Sequence, residues 1–340
     1  MIPAIFGIAG TTLSADERAF FRDADSAGYI LFARNCEDPE QLKALTDELR
    51  AIHGRAHTFV SIDQEGGRVQ RMKPPHWASY PAGEAFDRLY AVAPASAIEA
   101  ARVNARAMAM ELSSMGITVD FHAPLDVRRA ETDDVIGDRS LGSDPMQVAA
   151  LGRAVLDGMT SGGVVGCLKH MPGHGRATAD SHKELPVVSA SSEELEVDVA
   201  PFRALADKAA LGMSAHIVFE AWDAERPATL SPTVIENVIR KDIGFAGLLL
   251  TDDIDMQALD GTIPERAEQA LAAGCDIILN CWAKMDDQIG IAERVGTMDA
   301  DKQKVLESAL AGVESNQDTA AHAELLAKRD ALLALEGQAA

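Results

Sequence analysis

Cysteine is sparse in this chain. The four present, Cys36, Cys167, Cys275 and Cys281, are scattered and form no C-x-x-C pair, so neither a disulfide framework nor a zinc ribbon is indicated. Three of them sit in or beside apolar runs, where a free thiol acts as a small hydrophobe. No apolar run reaches the roughly 18 residues of a membrane span. The opening "MIPAIFGIAG" lacks a basic stretch and a cleavage site; it reads as a first strand, and no secretory leader is expected. Basic residues are in deficit, 31 against 53 acidic, for a formal charge of −22. Such a surface repels nucleic acid and anionic lipid, which excludes both as partners. No G-x-G-x-x-G follows the first apolar run, which weighs against a dinucleotide-binding sheet. No Pro/Ser-rich linker marks a second domain. What remains is a cytoplasmic globular protein.

Apolar residues make up 47% of the 340 positions, ample for a packed core. They gather in short runs: "AIFGIAG" (4–10), "YILFAR" (29–34), "TFVSID" (58–63), "ITVDFHAPL" (117–125), "VVGCLKH" (164–170), "LGMSAHIV" (211–218), "GLLLTDD" (247–253) and "CDIILN" (275–280). Helix-like segments lie between them. One opens with a Ser cap at "SADERAFF", one with Asp38-Pro39, and "SPTVIENVIRKDIG" opens on Ser231-Pro232 and closes on Gly244, the Pro-in, Gly-out asymmetry of helices. Strands apolar on both faces that alternate with helices predict a parallel sheet. About eight such units fit an α/β fold of the single-domain (β/α)8 TIM type. Residues 1–300 would form the barrel, and 301–340, rich in Ala, Leu and charge, a helical extension packed on it.

In a barrel of this kind the site lies at the C-terminal ends of the strands and in the loops that follow. Those ends carry Arg34, Asn35, Asp63, Asp126, Lys169, His170, His216, Asp252 and Asp253. Strand ends are polar anyway where they leave a core, which accounts for part of the pattern. "SIDQEGGRVQRM" (61–72) places Asp63 to accept bonds from vicinal hydroxyls, with glycines that let backbone approach a ligand, or it is simply a turn. "VIGDRSLGSDP" (135–145) offers Arg139, a fork for planar acceptors, unless Asp138 claims it. "LLLTDDIDM" (248–256) runs a buried strand into Asp252, Asp253 and Asp255, as a nucleophile or general base or as a cation site. Side chains alternate along a strand, so Asp252 and Asp253 are not expected to share the pocket, which favours one functional acid over a metal cluster.

"KHMPGHGRATADSHKELP" (169–186) is the densest stretch of titratable groups. A metal site, a mobile catalytic loop and a surface loop of no consequence compete for it. His170 and His174 have the H-x-x-x-H spacing of a helical zinc site, but Pro172 and Gly173 break any helix between them. Asp180 and His182, two apart, point the same way in an extended chain. A carboxylate beside an imidazole fixes its tautomer and raises its basicity, which makes a proton shuttle. On a Gly-rich loop that pair could close over a substrate.

These residues resemble the β-N-acetylhexosaminidases of glycoside hydrolase family 3. "DQEGGRVQR", "GDRS", "KHMPGHG" with "DSH", and "TDDIDM" occur in family order, and the likeness runs over roughly residues 5–285. The resemblance implies that Asp252 is the nucleophile and His182 the acid/base, with Asp180 as its orienting partner. Asp63, Arg71, Arg139, Lys169 and His170 would line an N-acetylglucosamine subsite, with no metal and no cofactor. It further implies a cytoplasmic enzyme, monomer or weak homodimer, that releases terminal β-linked N-acetylglucosamine from N-acetylglucosaminyl-anhydromuramyl peptides. Met171 stands where relatives usually carry Phe, a change of packing beneath the loop. The family's larger β-glucosidases lack the D-x-H element and draw their acid from a second domain; this chain has the element. A phosphorylase and a non-catalytic sugar-binding barrel are the alternatives.

Overall fold

Side chains alternate along a strand, so consecutive residues of these short, doubly buried strands face opposite sides of the sheet. In the computed structural model, which describes residues 1–312 and 318–338, the first five strands are β1 (Ile2–Gly7), β2 (Ser26–Leu31), β3 (Phe59–Ile62), β4 (Val119–Asp120) and β5 (Val165–Met171). β6 (Val187–Val188), β7 (Leu211–Ser214), β8 (Val218–Phe219), β9 (Leu248–Asp253) and β10 (Ile277–Asn280) follow. Eight of these close a barrel in the order β1-β10-β9-β7-β5-β4-β3-β2, every pair parallel. The fold is the expected single-domain (β/α)8 barrel, and each of the eight apolar runs supplies one of its strands. Ile5, Ile30, Phe59, Leu211, Met213, Leu248, Leu250, Ile277 and Leu279 fill the interior. Their neighbours Phe6, Tyr29, Leu31, Val60, Leu249 and Ile278 belong to the larger layer between sheet and helices.

Boundaries depart from the sequence reading where local chemistry intervenes. β4 keeps only two of the nine expected residues: the ladder to β5 stops after Asp120 and returns only as an isolated bridge at Pro124 and Lys169, made by Lys169 N on Ala123 O and Leu125 N on Lys169 O. The run 211–218 splits: its last residue joins β8, which leaves the barrel and pairs with β6. The helix caps are those expected. Ser14 Oγ accepts from Glu17 N while Glu17 Oε2 accepts from Ser14 N, a capping box, and Asp38 caps Gln41 N. The segment after Ser231 winds wider than an α-helix, with Ile243 N bonded to Val238 O.

Helix Ala300–Leu310 sends Leu306 and Leu310 into the interior cluster, and its Lys302 Nζ lies 2.7 Å from Asp276 Oδ1. Helix Thr319–Leu333 packs along Pro94–Ser114, held by Arg329 Nη1 on Ser79 O at 3.1 Å and Asn104 Oδ1 at 3.3 Å. Residues 313–317 and 339–340 of the expected extension lie outside the described residues. Among the described residues, no helix is long and apolar enough to cross a membrane.

Two register shifts prepare the site. Between Leu168 and Met171, β5 advances three residues while β7 advances two. Between Leu250 and Asp253, β9 likewise gains one residue on β10. An extra residue in a strand suspends alternation locally and re-aims side chains. Both shifts lie at the C-terminal rim.

The barrel wall is tight at Gly28, where an added Cβ would stand 2.6 Å from Phe59 Cβ. Gly28→Val should therefore cost about 1–3 kcal/mol through overpacking. Urea unfolding should show a lower midpoint at unchanged slope; an unaltered midpoint would contradict this packing.

Candidate active site

A cavity of about 240 Å³ opens at the C-terminal rim, lined by residues that include Asp63, Glu65, Arg71, Arg139, Lys169, His170, His174, His182, Asp252 and Asp253. It is small beside the ~300–1,000 Å³ clefts that hold drug-sized ligands, and suits a single sugar ring. Its foundation is an ion cluster. Glu65, almost wholly buried, receives Arg139 Nε at 2.8 Å and Nη2 at 2.7 Å, and Lys169 Nζ at 2.6 Å. Lys169 also reaches Asp63 Oδ1 at 3.1 Å, and Arg71 Nη2 stands 3.4 Å from Asp63 Oδ2. Burial alone would raise the Glu65 carboxyl, but Arg139 and Lys169 outweigh it and hold the group well below the usual carboxylate range. Burial likewise opposes the Lys169 charge, and Glu65 and Asp63 more than restore it.

The glycines after Glu65 serve the protein's own chain and not a ligand, contrary to the sequence reading. A Cβ on Gly66 (φ +99) would meet Pro81 O at 2.2 Å, and Gly67 N donates to Tyr80 O. Arg68, on the same turn, bonds Asp138 and the carbonyl of Val135 and so ties this turn to the loop that brings Arg139. Arg139 itself spends its fork on Glu65 and its Nη1 on Val135 O. It shapes the cavity from below and is not the free fork expected.

The register shift in β5 turns both Lys169 and His170 to the cavity. His170 Nδ1 lies 2.8 Å from Asp126 Oδ2, and Asp126 Oδ1 accepts the backbone N–H of His170 and His174. Burial would raise Asp126, yet the facing imidazole holds it below its ordinary value. The Asp126 contact orients the His170 ring, which packs edge-on against His174 with centroids 5.6 Å apart. Burial lowers His174 to about 4, so it is neutral near pH 7.

The shift in β9 corrects a second expectation: Asp252 and Asp253 both line the cavity, although strict alternation would separate them. Their electrostatics then differ. Burial raises Asp252, but His170, His216 and the Asp253 N–H bond to its Oδ1 outweigh that and leave it below the usual value. Burial together with the neighbouring Asp255 charge drives Asp253 well above its usual value. Asp253 Oδ1 accepts from Cys281 N and Asp255 N. Carboxyls pushed apart in this way mark division of labour: Asp252 is held toward its ionised form and Asp253 toward its protonated form.

Above them stands the loop after β5. His182 Nδ1 lies 2.9 Å from Asp180 Oδ1, which also accepts the His182 N–H. Burial opposes the Asp180 charge, but Lys183 and His182 bring its carboxyl down to about 2. The His182 side chain is 57% exposed, while Ser181 is buried beside His174 and Met256. Among the described residues, no cluster of three or more His, Cys, Asp or Glu is arranged to hold a metal ion.

The model of the glycosyl hydrolase family 3 N terminal domain matches residues 6–311. The chain belongs to glycosyl hydrolase family 3. It is a glycosidase, and the non-catalytic alternative falls away. A beta-hexosaminidase of Alkalilimnicola ehrlichii is 39% identical over 283 residues, 82% of this chain and 80% of that protein. Another, from Neisseria meningitidis serogroup B, is 35% identical over 94% of this chain and 95% of its own. The crystal structure of NagZ from Neisseria gonorrhoeae in complex with N-trifluoroacetyl-D-glucosamine superposes with a TM-score of 0.86 at 33% identity, covering 98% of each chain.

Within this family 3 fold, Asp63, Arg71, Arg139, Lys169, His170, His182 and Asp252 meet at one cavity, and Asp180 adjoins it through His182. Glu65, Asp126 and His174 were not among the sequence-derived site residues. Glu65 stands two positions after Asp63, so the two point the same way if the strand geometry continues, a signal that was available. The buried Asp126 stands among the polar strand ends of the sequence reading, which assigns it no role. His174 enters that reading only as the H-x-x-x-H partner of His170, a spacing that carries no sign of its packing against the His170 ring.

Removing the Glu65 charge strands two buried cations. Glu65→Gln should destabilise the fold by about 3–5 kcal/mol. Because the folded carboxyl sits below its unfolded value of about 4.3, its stabilisation is complete above that pH and fades as pH falls toward the folded value. The gap in unfolding free energy between the native protein and Glu65→Gln should therefore be constant from pH 6 to 5 and narrow below about pH 4. A gap that widens on acidification would refute the assignment.

Proposed function

We propose that this protein hydrolyses terminal β-linked N-acetylglucosamine by double displacement, with Asp252 as nucleophile and His182 as acid/base. The observation that carries the reading is one cavity lined by an ionised carboxylate, Asp252, and by an exposed imidazole backed by Asp180. Asp252 attacks the anomeric carbon as His182 protonates the departing oxygen. His182 then takes a proton from water, which attacks the same carbon and frees Asp252. The usual pair of carboxylates is thus replaced by a carboxylate and a histidine. Asp63, Arg71, Lys169 and His170 bind the sugar hydroxyls and the N-acetyl group, and Arg139 supports them through Glu65. No step calls for a metal or a cofactor.

The name beta-hexosaminidase of the relatives, and the N-trifluoroacetyl-D-glucosamine in the gonococcal structure, support N-acetylglucosamine as the sugar. The cavity's size supports removal of one terminal residue. We take N-acetylglucosaminyl-anhydromuramyl peptides of cell-wall turnover, met in the cytoplasm, as the physiological substrate. The acidic chain, with a charge of −22, has no attraction for anionic membranes or nucleic acid. A second reading, phosphorolysis, is favoured by the acid/base being an imidazole: a neutral histidine does not repel an incoming phosphate as a carboxylate would. Glycosyl phosphate among the products in phosphate buffer would select it.

Asp252→Ala should lower turnover of p-nitrophenyl β-N-acetylglucosaminide by roughly 10⁴-fold or more while binding of the free sugar persists. The native enzyme should release the β-anomer first, because two inversions cancel. Proton NMR with the α-anomer first would sink the double displacement. Activity should also survive dialysis against EDTA, and loss restored by zinc or magnesium would revive a metal role.

A further inference from the structure

We propose that Asp198 is a positioning residue, a buried carboxylate that anchors the loop carrying His182 and thereby sets where the proton shuttle stands. The proposal rests on the reading of His182 as acid/base. Asp198 lies in helix Ser192–Leu205, outside the cavity lining and outside the motifs that drew attention in the sequence. Its side chain is 2% exposed, and its Oδ2 receives Arg176 Nε at 2.7 Å and Arg129 Nη2 at 3.2 Å. Arg176 belongs to the His182 loop, and Arg129 to the loop after β4. Arg176 also donates through Nη2 to Glu194 O at 2.7 Å, so one guanidinium grips the helix at two points a turn apart.

The loop backbone also rests directly on the helix at Asp198, for a Cβ on Gly173 would stand 3.1 Å from Asp198 Cβ and 3.3 Å from its backbone O. From the other side, Thr132 Oγ1 donates to Gly175 O at 2.5 Å and Asp133 N to Ala177 O at 2.9 Å. Residues 173–177 are therefore fixed between the helix and the loop after β4, with Asp198 as the charge that joins them. Beyond Ala177 only a short length of chain leads to Asp180 and His182. Each residue spans at most about 3.3–3.6 Å, so a shift at the anchor passes to the imidazole. Asp252, on β9, has no bond to this assembly. Loosening the anchor should therefore impair proton delivery and leave nucleophilic attack intact. That loss matters only when the leaving group needs the proton, as a sugar alkoxide does and a nitrophenolate does not.

The test measures single-turnover glycosylation with a disaccharide and with an aryl β-N-acetylglucosaminide, for Asp198→Asn, Arg176→Ala and the double variant, with His182→Ala as reference. Each anchor variant should lose about tenfold on the disaccharide and less than about twofold on the aryl glycoside. The double variant should lose less than the product of the two single losses, because both singles remove the Arg176–Asp198 contact. Arg176→Lys should recover part of the loss, since an ammonium can pair with Asp198 but lacks the second donor arm for Glu194 O.

Equal losses on both substrates, or no loss, would overturn the proposal. Leaving-group dependence in His182→Ala without it in the anchor variants would overturn the anchor alone. Its absence in His182→Ala would remove the shuttle, and this proposal with it. A readout independent of turnover is tryptic cleavage after Lys183, whose side chain is 79% exposed. Cleavage there should accelerate several-fold in both single variants, and an unchanged rate would overturn the anchor whatever the kinetics.

Discussion

A single buried carboxylate, Glu65, stands under the rest of the site. Two cations converge on it, Arg139 through a two-pronged contact and Lys169 through its ammonium. Each group would be costly to bury alone, and their mutual contacts offset the desolvation only while all three remain in place. The geometry is therefore all or none, which is what a binding surface for a rigid sugar needs. From this base Lys169 extends to Asp63, and Asp63 to Arg71. Lys169, Asp63 and Arg71 thus hold their orientation through contacts within the protein, so little ordering of these groups would remain to be done on binding.

The same economy governs the reacting groups. Consecutive residues on a strand ordinarily part to opposite faces. An added residue in β5 and another in β9 bring Lys169 with His170, and Asp252 with Asp253, to one cavity. Environment then separates the neighbours. Against burial, the two imidazoles facing Asp252 hold its carboxyl below the usual range, whereas burial and the neighbouring Asp255 drive Asp253 well above it. The Asp253 carboxyl, disfavoured as a second negative charge beside Asp252, accepts the Cys281 N–H that ties β9 to the end of β10.

Much of this was readable from residue order. Eight apolar runs with helices between them were enough for the barrel, and the site residues sat at strand ends because a barrel exposes only those ends. What escaped was non-local. β4 stops after Asp120 and meets β5 again only as an isolated bridge at Pro124, and β6 with β8 forms a ribbon too short to show a periodicity. The pairing of Asp252 with Asp253 followed from a register shift, a property of two strands that no single run displays. Glu65 lay inside a recognised motif, but its partners are Lys169 and Arg139, more than seventy residues away along the chain. The glycines beside it were read as room for a ligand, when the room is taken by residues 80–82.

The account turns on Asp252 being the carboxylate that bonds to the sugar. The most direct measurement is to trap that bond with a fluorinated N-acetylglucosaminyl fluoride, whose glycosyl-enzyme breaks down slowly, and to map the adduct by mass spectrometry of the peptide spanning residues 248–256. One glycosyl unit on Asp252, formed in step with loss of activity, is the predicted result. An adduct on Asp253 or Asp255, or full inactivation with no covalent sugar on this peptide, would contradict the division of labour between the two neighbouring acids.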